Sequence, residues 1–389
     1  MRTPEERRAE RTAKRRRAVR RRRALLGAAA LVALVSGAAV GASRDDDAPR
    51  TGRPGGTGGG DAPPGTRADP REPLQRAVGR LVVLRFAGTE LPAYARRALR
   101  EGRAGGVILF GDNLAGPAQL RRLTHDIRAA SGGRALVLAD QEGGDVRIVR
   151  WAGPERAAAA QAAAGAARAD AHAAARRLRA AGVTVALAPV ADVPTVPGSA
   201  LASRAFADEP GAAARAVAAA VRGWREGGVA PTVKHFPGLG GATVNTDDGP
   251  ADVAGTPDLG PFRAGIEAGA PLVMVGHARY PALDPRRIAS QSEAIVEGRL
   301  RRELGFRGVA VTDSLEAAAV ARRAPVDLAA ERSVRAGVDL ALTTGAGSAI
   351  RVYRRLLATA RRSEAFRARV RESSARVQRL QRAYAGERP

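Results

Sequence analysis

The sequence predicts an α/β protein built as a single (β/α)8 barrel of the TIM type, preceded by an N-terminal transmembrane or signal helix and a disordered linker. Three observations carry that reading. From residue 81 onward eight short apolar runs alternate with longer Ala/Arg/Leu-rich stretches. The alternation fills the length that one barrel needs, roughly 250 residues or somewhat more. Polar, chemistry-bearing residues follow the apolar runs where strands should end.

Taken in chain order, residues 1–23 form a basic segment, with Arg15 to Arg17 and Arg20 to Arg23 directly ahead of an apolar run. Residues 24–42, ALLGAAALVALVSGAAVGA, are nineteen positions without a charge, close to the minimum that crosses a bilayer. The positive flank holds the N-terminus in the cytoplasm and sends the rest of the chain across the membrane. Val40-Gly41-Ala42 also satisfies the small-residue rule for signal-peptidase cleavage, so an anchor and a removed signal peptide both fit. Residues 43–72, with Gly58 to Gly60 and Pro63-Pro64, hold too few large apolar residues for a core and read as a disordered linker. The folded domain is expected over 73–389.

Within it, strands are expected near 81–86 (LVVLRF), 106–110 (GVILF), 135–139 (ALVLA), 184–190 (TVALAPV), 231–234, 272–276 (LVMVG), 309–312 (VAVT) and 338–342 (VDLAL). Helical segments fill the intervals, as at 155–181 and 210–226, and the Arg-rich tail 361–389 reads as a terminal helix. Eight strands favour a closed parallel barrel over an open doubly wound sheet. No Gly-x-Gly-x-x-Gly follows the first strand, which argues against a dinucleotide fold.

The strand ends carry the chemistry. Asp140 follows ALVLA, Asp192 follows LAPVA, Lys234 and His235 follow PTV, His277 follows LVMVG and Asp313 follows VAVT. In a barrel the carboxyl ends of the strands form the face on which sites are built. A lone Asp after a strand is commonly a helix N-cap, but so many polar positions on one rim point to a site. Lys234 stands out because the chain holds only two lysines, Lys14 and Lys234, among 64 Lys and Arg residues. A compact ammonium is wanted there rather than a guanidinium. His125 and His172 fall in helical stretches and read as structural.

Composition removes several functions. The net charge of +25 raises nucleic acid as a partner, but outside the N-terminal block the arginines are scattered through helical segments, and aromatic content is 3%. No stripe of bases and aromatics suited to stacking nucleotides is present, so no nucleic acid is expected. The absence of cysteine excludes disulfides and thiolate metal sites. A metal-dependent hydrolase using Asp140, His235, His277 and Asp313 is disfavoured, because such sites gather several imidazoles and there is no His-x-His pair or His-Glu-x-x-His helix. Neither metal nor any other cofactor is expected. Carboxylates and amines converging on one rim suit a poly-hydroxylated ligand, which needs many oriented donors and acceptors.

Six motifs occur in order: Val107 to Asn113 (VILFGDN), Asp140 to Gly144 (DQEGG), Ser203 to Phe206 (SRAF), Lys234 to Gly238 (KHFPG), His277 to Asp284 (HARYPALD) and Val311 to Leu315 (VTDSL). Together, over about residues 75–360, they resemble the N-terminal-domain pattern of glycoside hydrolase family 3, especially its single-domain bacterial β-N-acetylhexosaminidases. The resemblance implies a retaining glycosidase that removes β-linked N-acetylhexosamine from cell-wall-derived or other glycans outside the membrane, through a covalent glycosyl-enzyme. Asp313 would be the nucleophile. Asp140, Arg204, Lys234 and His235 would bind sugar hydroxyls, and His277 would line the same pocket.

The pattern breaks in two places. The family's single-domain enzymes carry their general acid/base just after KHFPG, as a histidine in a stretch like HG-(D/N)-T-x-x-D-S-H. Here the loop runs from Leu239 to Pro250, with Leu239 at the first histidine and Gly249 near the second. Asp247 and Asp248 are the candidates to supply the proton, because adjacent carboxylates raise one another's pKa; a solvent-facing Asp-Asp-Gly-Pro turn is the alternative. The family's EGG-x-V-x-R puts an arginine at 148, where this chain has Ile148 flanked by Arg147 and Arg150. Two functions remain in competition: an active exo-acting hydrolase, favoured by Asp313, and a membrane-anchored sugar-binding barrel without turnover, favoured by the missing loop histidine.

Overall fold

The structure, a computed structural model, describes residues 72–386. The basic segment, the apolar run 24–42 and all but the last residue of the expected linker lie outside the described residues, as do 387–389. Among the described residues no helix is long and apolar enough to cross a membrane.

Eight parallel strands form one sheet: β1 (Val82–Leu84), β2 (Gly106–Leu109), β3 (Leu136–Ala139), β4 (Val185–Ala186), β5 (Ala230–Phe236), β6 (Leu272–Val275), β7 (Val309–Thr312) and β8 (Ala341–Leu342). Their order is β7-β6-β5-β4-β3-β2-β1-β8. A parallel bridge between Val311 and Leu340 brings the two ends of the sheet together. Each strand lies within or across an expected apolar run, because both of its faces are buried and no polar alternation is needed. Val107 and Leu109 pack outward with the helices, while Ile108 between them joins Leu138, Leu187, Met274 and Val311 in the barrel interior.

The helix Pro210–Glu226 has the bounds expected of it. Pro210 is preset for a first helical turn, and the Glu209 carboxylate accepts hydrogen bonds from Gly211 N and Ala212 N at 2.8 and 2.6 Å. The stretch 155–181, expected to be helical throughout, is two helices, Ala158–Ala163 and Ala167–Ala180. Gly165 between them has φ +62°, a left-handed conformation that ends a helix and that glycine adopts without steric cost. The tail helix, Glu364–Tyr384, places Val377, Leu380 and Tyr384 in one apolar cluster with the strand-start residues Leu136, Ala230, Leu272 and Val309. It closes the end of the barrel opposite the polar rim.

That closure is fastened at Asp339, which is wholly buried. One of its carboxylate oxygens accepts from Arg301 Nη2 at 2.6 Å and Ala310 N at 3.0 Å; the other accepts from Arg369 Nη2 at 2.7 Å, Ser373 Oγ at 2.8 Å and Arg376 Nη1 at 3.0 Å. Burial opposes its ionisation, but the three guanidiniums outweigh it and hold the pKa below the usual aspartate range. Asp339→Asn would leave the arginines without their counter-charge and is expected to cost about 3–5 kcal/mol, read by denaturant unfolding. Because the folded pKa is depressed, this contribution is present above about pH 4 and is lost as pH falls through the folded value. A cost below about 1 kcal/mol would mean that solvent screens these pairs as it does at a surface.

Candidate active site

The rim at the carboxyl ends of the strands encloses a cavity of about 570 Å3. Its floor is apolar, with Ile108, Leu187, Met274 and Leu342 from the barrel interior. Its walls carry Asp140, Glu142, Arg204, Lys234, His235, Asp247 and Asp313. A small polar molecule with one apolar face matches such a lining.

Asp140 directly follows β3, and the chain turns into a short hairpin, Gln141–Gly143 with Val146–Arg147. Alternation along this extended segment sends Asp140 and Glu142 to the cavity and Gln141 away from it, where its amide knits the hairpin to Val149 and Gly153. Gly143, at φ +113°, has no room for a side chain: a Cβ there would lie 2.5 Å from the Arg156 carbonyl oxygen. Two successive residues of β5, Lys234 and His235, both reach the cavity. The pairing of β5 with β6 slips between Val233 and Phe236, which breaks the alternation that would otherwise send one of them outward.

Lys234 is buried, with Nζ 2.6 Å from Asp140 Oδ1 and 2.7 Å from Glu142 Oε1. Burial disfavours its ammonium, but the two carboxylates outweigh that and raise its pKa. Arg204 grips Glu142 with two parallel bonds, Nε to Oε2 at 2.8 Å and Nη2 to Oε1 at 2.6 Å. Burial would raise the Glu142 pKa; the charges of Lys234 and Arg204 instead bring it down to about 2. Glu142 is thus a fixed anion that aligns both cations beneath the ligand space. It was not among the residues expected in the site, and the signal available was its position two residues past Asp140 on the same face.

His235 donates from Nδ1 to Asp192 Oδ2 at 2.7 Å, and Asp192 also accepts from Leu239 N at 2.5 Å. The strand-end carboxylate Asp192 therefore orients the imidazole and leaves Nε2 toward the cavity, 4.0 Å from Asp313 Oδ2 and 3.5 Å from Arg204 Nη2. Asp313 Oδ1 accepts from Ser314 N at 2.7 Å. Burial works against its charge, but His235 and the Ser314 N–H prevail and hold its pKa below the usual range. At neutral pH it is a desolvated carboxylate at the inner wall of the cavity.

Two expected site residues are placed elsewhere. His277 does not line the cavity: it is fully buried behind the Asp313 segment, with Nε2 donating to the Ser314 carbonyl at 2.9 Å and Nδ1 accepting from Ser290 Oγ at 2.8 Å. Burial lowers its pKa below 6.5, so it is a neutral brace for the residue after Asp313. Asp248, next to Asp247, is not among the lining residues either. The distinction comes from how the loop is held. Ala318 N and Ala319 N donate to the carbonyls of Asp247 and Thr246 at 3.3 and 3.1 Å, tying the loop to the segment that follows Asp313. At the other end Leu239, in the place of the expected histidine, packs in the core, and a Cβ on Gly240 would lie 1.7 Å from the Val193 carbonyl oxygen.

Asp247 belongs to an exposed stretch of the rim, yet its carboxyl lines the cavity. Partial burial there, and the negative charge of Asp313, push its pKa up to about 6. The site thus holds two carboxyl groups with opposed shifts, one kept ionised and one that holds its proton up to about pH 6, the arrangement that divides nucleophile from acid. Arg85, also unexpected, lines the outer wall; it pairs with Asp112 at 2.9 Å and lies over the Phe110 ring at 5.1 Å. Ile148, where an arginine was expected from the motif, adds an apolar patch.

The pattern described as the glycosyl hydrolase family 3 N terminal domain matches residues 74–380. A β-hexosaminidase of Xanthomonas axonopodis pv. citri is 37% identical over 278 residues, covering 67% of this chain and 83% of the relative. Among solved structures, a β-N-acetylhexosaminidase from Beutenbergia cavernae superposes with a TM-score of 0.74 at 32% identity, covering 80% of this chain and 99% of that one. A family 3 β-N-acetylglucosaminidase from Paenibacillus sp. str. FPU-7 superposes with a TM-score of 0.75 at 33% identity, covering 80% of this chain but 62% of that longer chain.

Proposed function

The chain belongs to glycoside hydrolase family 3 and is a hydrolase of O-glycosyl bonds, and from that premise we propose that it is a retaining, exo-acting β-N-acetylhexosaminidase in which Asp313 is the nucleophile and Asp247 the general acid/base. The observation that carries the reading is the pair of carboxyl groups with opposed pKa shifts in one cavity. Asp313 attacks the anomeric carbon as the glycosidic C–O bond breaks, and protonated Asp247 gives its proton to the departing oxygen. Asp247, now a carboxylate, then takes a proton from water, whose oxygen attacks the same carbon and releases Asp313.

Asp140, Lys234, Arg204 and His235 hold the hydroxyls of the terminal sugar, and Glu142 keeps the two cations in register. The apolar floor closes the cavity against the barrel core, which suits removal of one terminal residue. The choice of N-acetylhexosamine rests on the names of the relatives. Export, and attachment through residues 24–42, also belong to this proposal, since that segment lies outside the described residues; the substrates would then be glycans beyond the membrane. The alternative of a binding barrel without turnover rested on the missing loop histidine, and Asp247 supplies a proton donor in its stead.

Stereochemistry tests the mechanism directly. Proton NMR during hydrolysis of a β-N-acetylglucosaminide is expected to show the β-anomer first, with the α-anomer appearing only by mutarotation. An α-anomer formed first would mean direct attack by water and would remove the covalent step.

A further inference from the structure

Several arginines described on this barrel have acidic partners, as in Arg156 with Asp170, Arg168 with Glu226 and Arg279 with Asp252. One group does not. Beside the hairpin of Arg279–Tyr280 with Asp284–Ile288, at the helix Val326–Arg335, a second cavity of about 450 Å3 is lined by Arg286, Arg287, Arg323, Arg332, Arg335 and Gln291. No acidic residue lines it, and it shares no lining residue with the sugar cavity. Arg335 is paired with Glu331 at 3.0 Å and stacks on Phe366. Among the described residues the other four make no ion pair.

Five guanidiniums around one concavity repel one another unless an anion sits between them. Gln291 adds a second sign of a missing partner. It is 6% exposed, and its amide nitrogen is buried with no hydrogen-bond acceptor. A donor so placed loses its bonds to water without replacement. The terminal torsion of a glutamine is soft, and rotation about it turns the amide toward an acceptor seated in the cavity. Planar forks with several N–H groups match tetrahedral oxyanions in particular.

We propose that this cavity is a binding site for an oxyanion of the phosphate class, either free phosphate or a phosphoester group on a larger molecule, separate from the hydrolytic site. The proposal does not depend on the identity of the sugar or on the assignment of the acid/base.

The test is calorimetric titration of the whole protein with inorganic pyrophosphate and with glycerol phosphate, at ionic strength held constant with chloride. Wild type is expected to bind at least one of them. Arg287→Gln combined with Arg332→Gln is expected to weaken binding at least about tenfold, as is Gln291→Leu, which removes the buried donor while keeping the volume. Both variants should keep the wild-type circular dichroism spectrum and a cooperative denaturant unfolding transition, which certifies that they are folded. Binding of pyrophosphate alone would identify a free anion, and binding of glycerol phosphate a phosphoester; either supports the site. Absence of binding to both probes, or binding equally strong in both variants, overturns it.

Discussion

Asp313→Asn is expected to lower hydrolysis of 4-nitrophenyl β-N-acetylglucosaminide by on the order of 10⁴-fold or more, equivalent to about 5.5 kcal/mol of lost transition-state stabilisation. The amide has nearly the shape of the carboxylate, and its oxygen can still accept from Ser314 N as Oδ1 does at 2.7 Å. It cannot form the glycosyl ester. The chromogenic leaving group needs little protonation, so the assay reports attack on the anomeric carbon rather than proton transfer. Sugar binding, read by calorimetry, should survive, because Lys234, Arg204 and Glu142 hold one another without help from Asp313. Activity within tenfold of wild type would exclude Asp313 as the nucleophile. A wild-type protein that binds the sugar and turns over neither this substrate nor the corresponding glucoside would instead be the binding barrel.

Asp247→Ala should have an effect that depends on what leaves. With a sugar or an alkyl alcohol as leaving group, the loss is expected to be about 10²–10⁴-fold, the range typical of a missing general acid. With 4-nitrophenolate, bond cleavage should be much less affected, and the deficit should shift to hydrolysis of the covalent intermediate. The pH profile gives the complementary reading. Asp247 acts first as an acid, and its pKa is pushed up to about 6; wild-type kcat/KM on a poor leaving group should therefore fall as pH rises through that value. On the acid side, activity should persist until Asp313, whose pKa is depressed, takes up a proton. The two groups interact, so the apparent values belong to the pair. In the variant the alkaline limb should disappear. An unchanged alkaline limb, or a loss independent of the leaving group, would assign the proton transfer to another residue.

Much of the barrel could be read before its structure was known. Fully buried parallel strands leave continuous apolar runs, so VAVT at 309–312 matches β7 to the residue. Helix ends such as Glu209-Pro210 carry their own capping chemistry. Asp140, Lys234, His235 and Asp313 were legible because each is a reactive type at the end of such a run, and Lys234 because the folded domain otherwise uses arginine. Arg204 came from the motif that contains it.

Other features have no local signature. Glu142 gains its role only when Arg204, 62 positions away, and Lys234 close on it. His277 faces Ser314 rather than the cavity because the segment after β7 folds across it. Asp247 and Asp248 are the same residue type side by side, and the choice between them rests on the bonds from Ala318 and Ala319 to the loop backbone. The arginine-lined cavity draws on residues from 286 to 335 that look, one at a time, like solvated surface. What the sequence determined by itself was therefore the order of elements and the identity of the groups presented at strand ends, since both follow from propensity and burial over a few neighbouring residues. What only the tertiary structure decided was which of those groups meet, because charge pairing and desolvation depend on distances between segments that the chain brings together only when it folds.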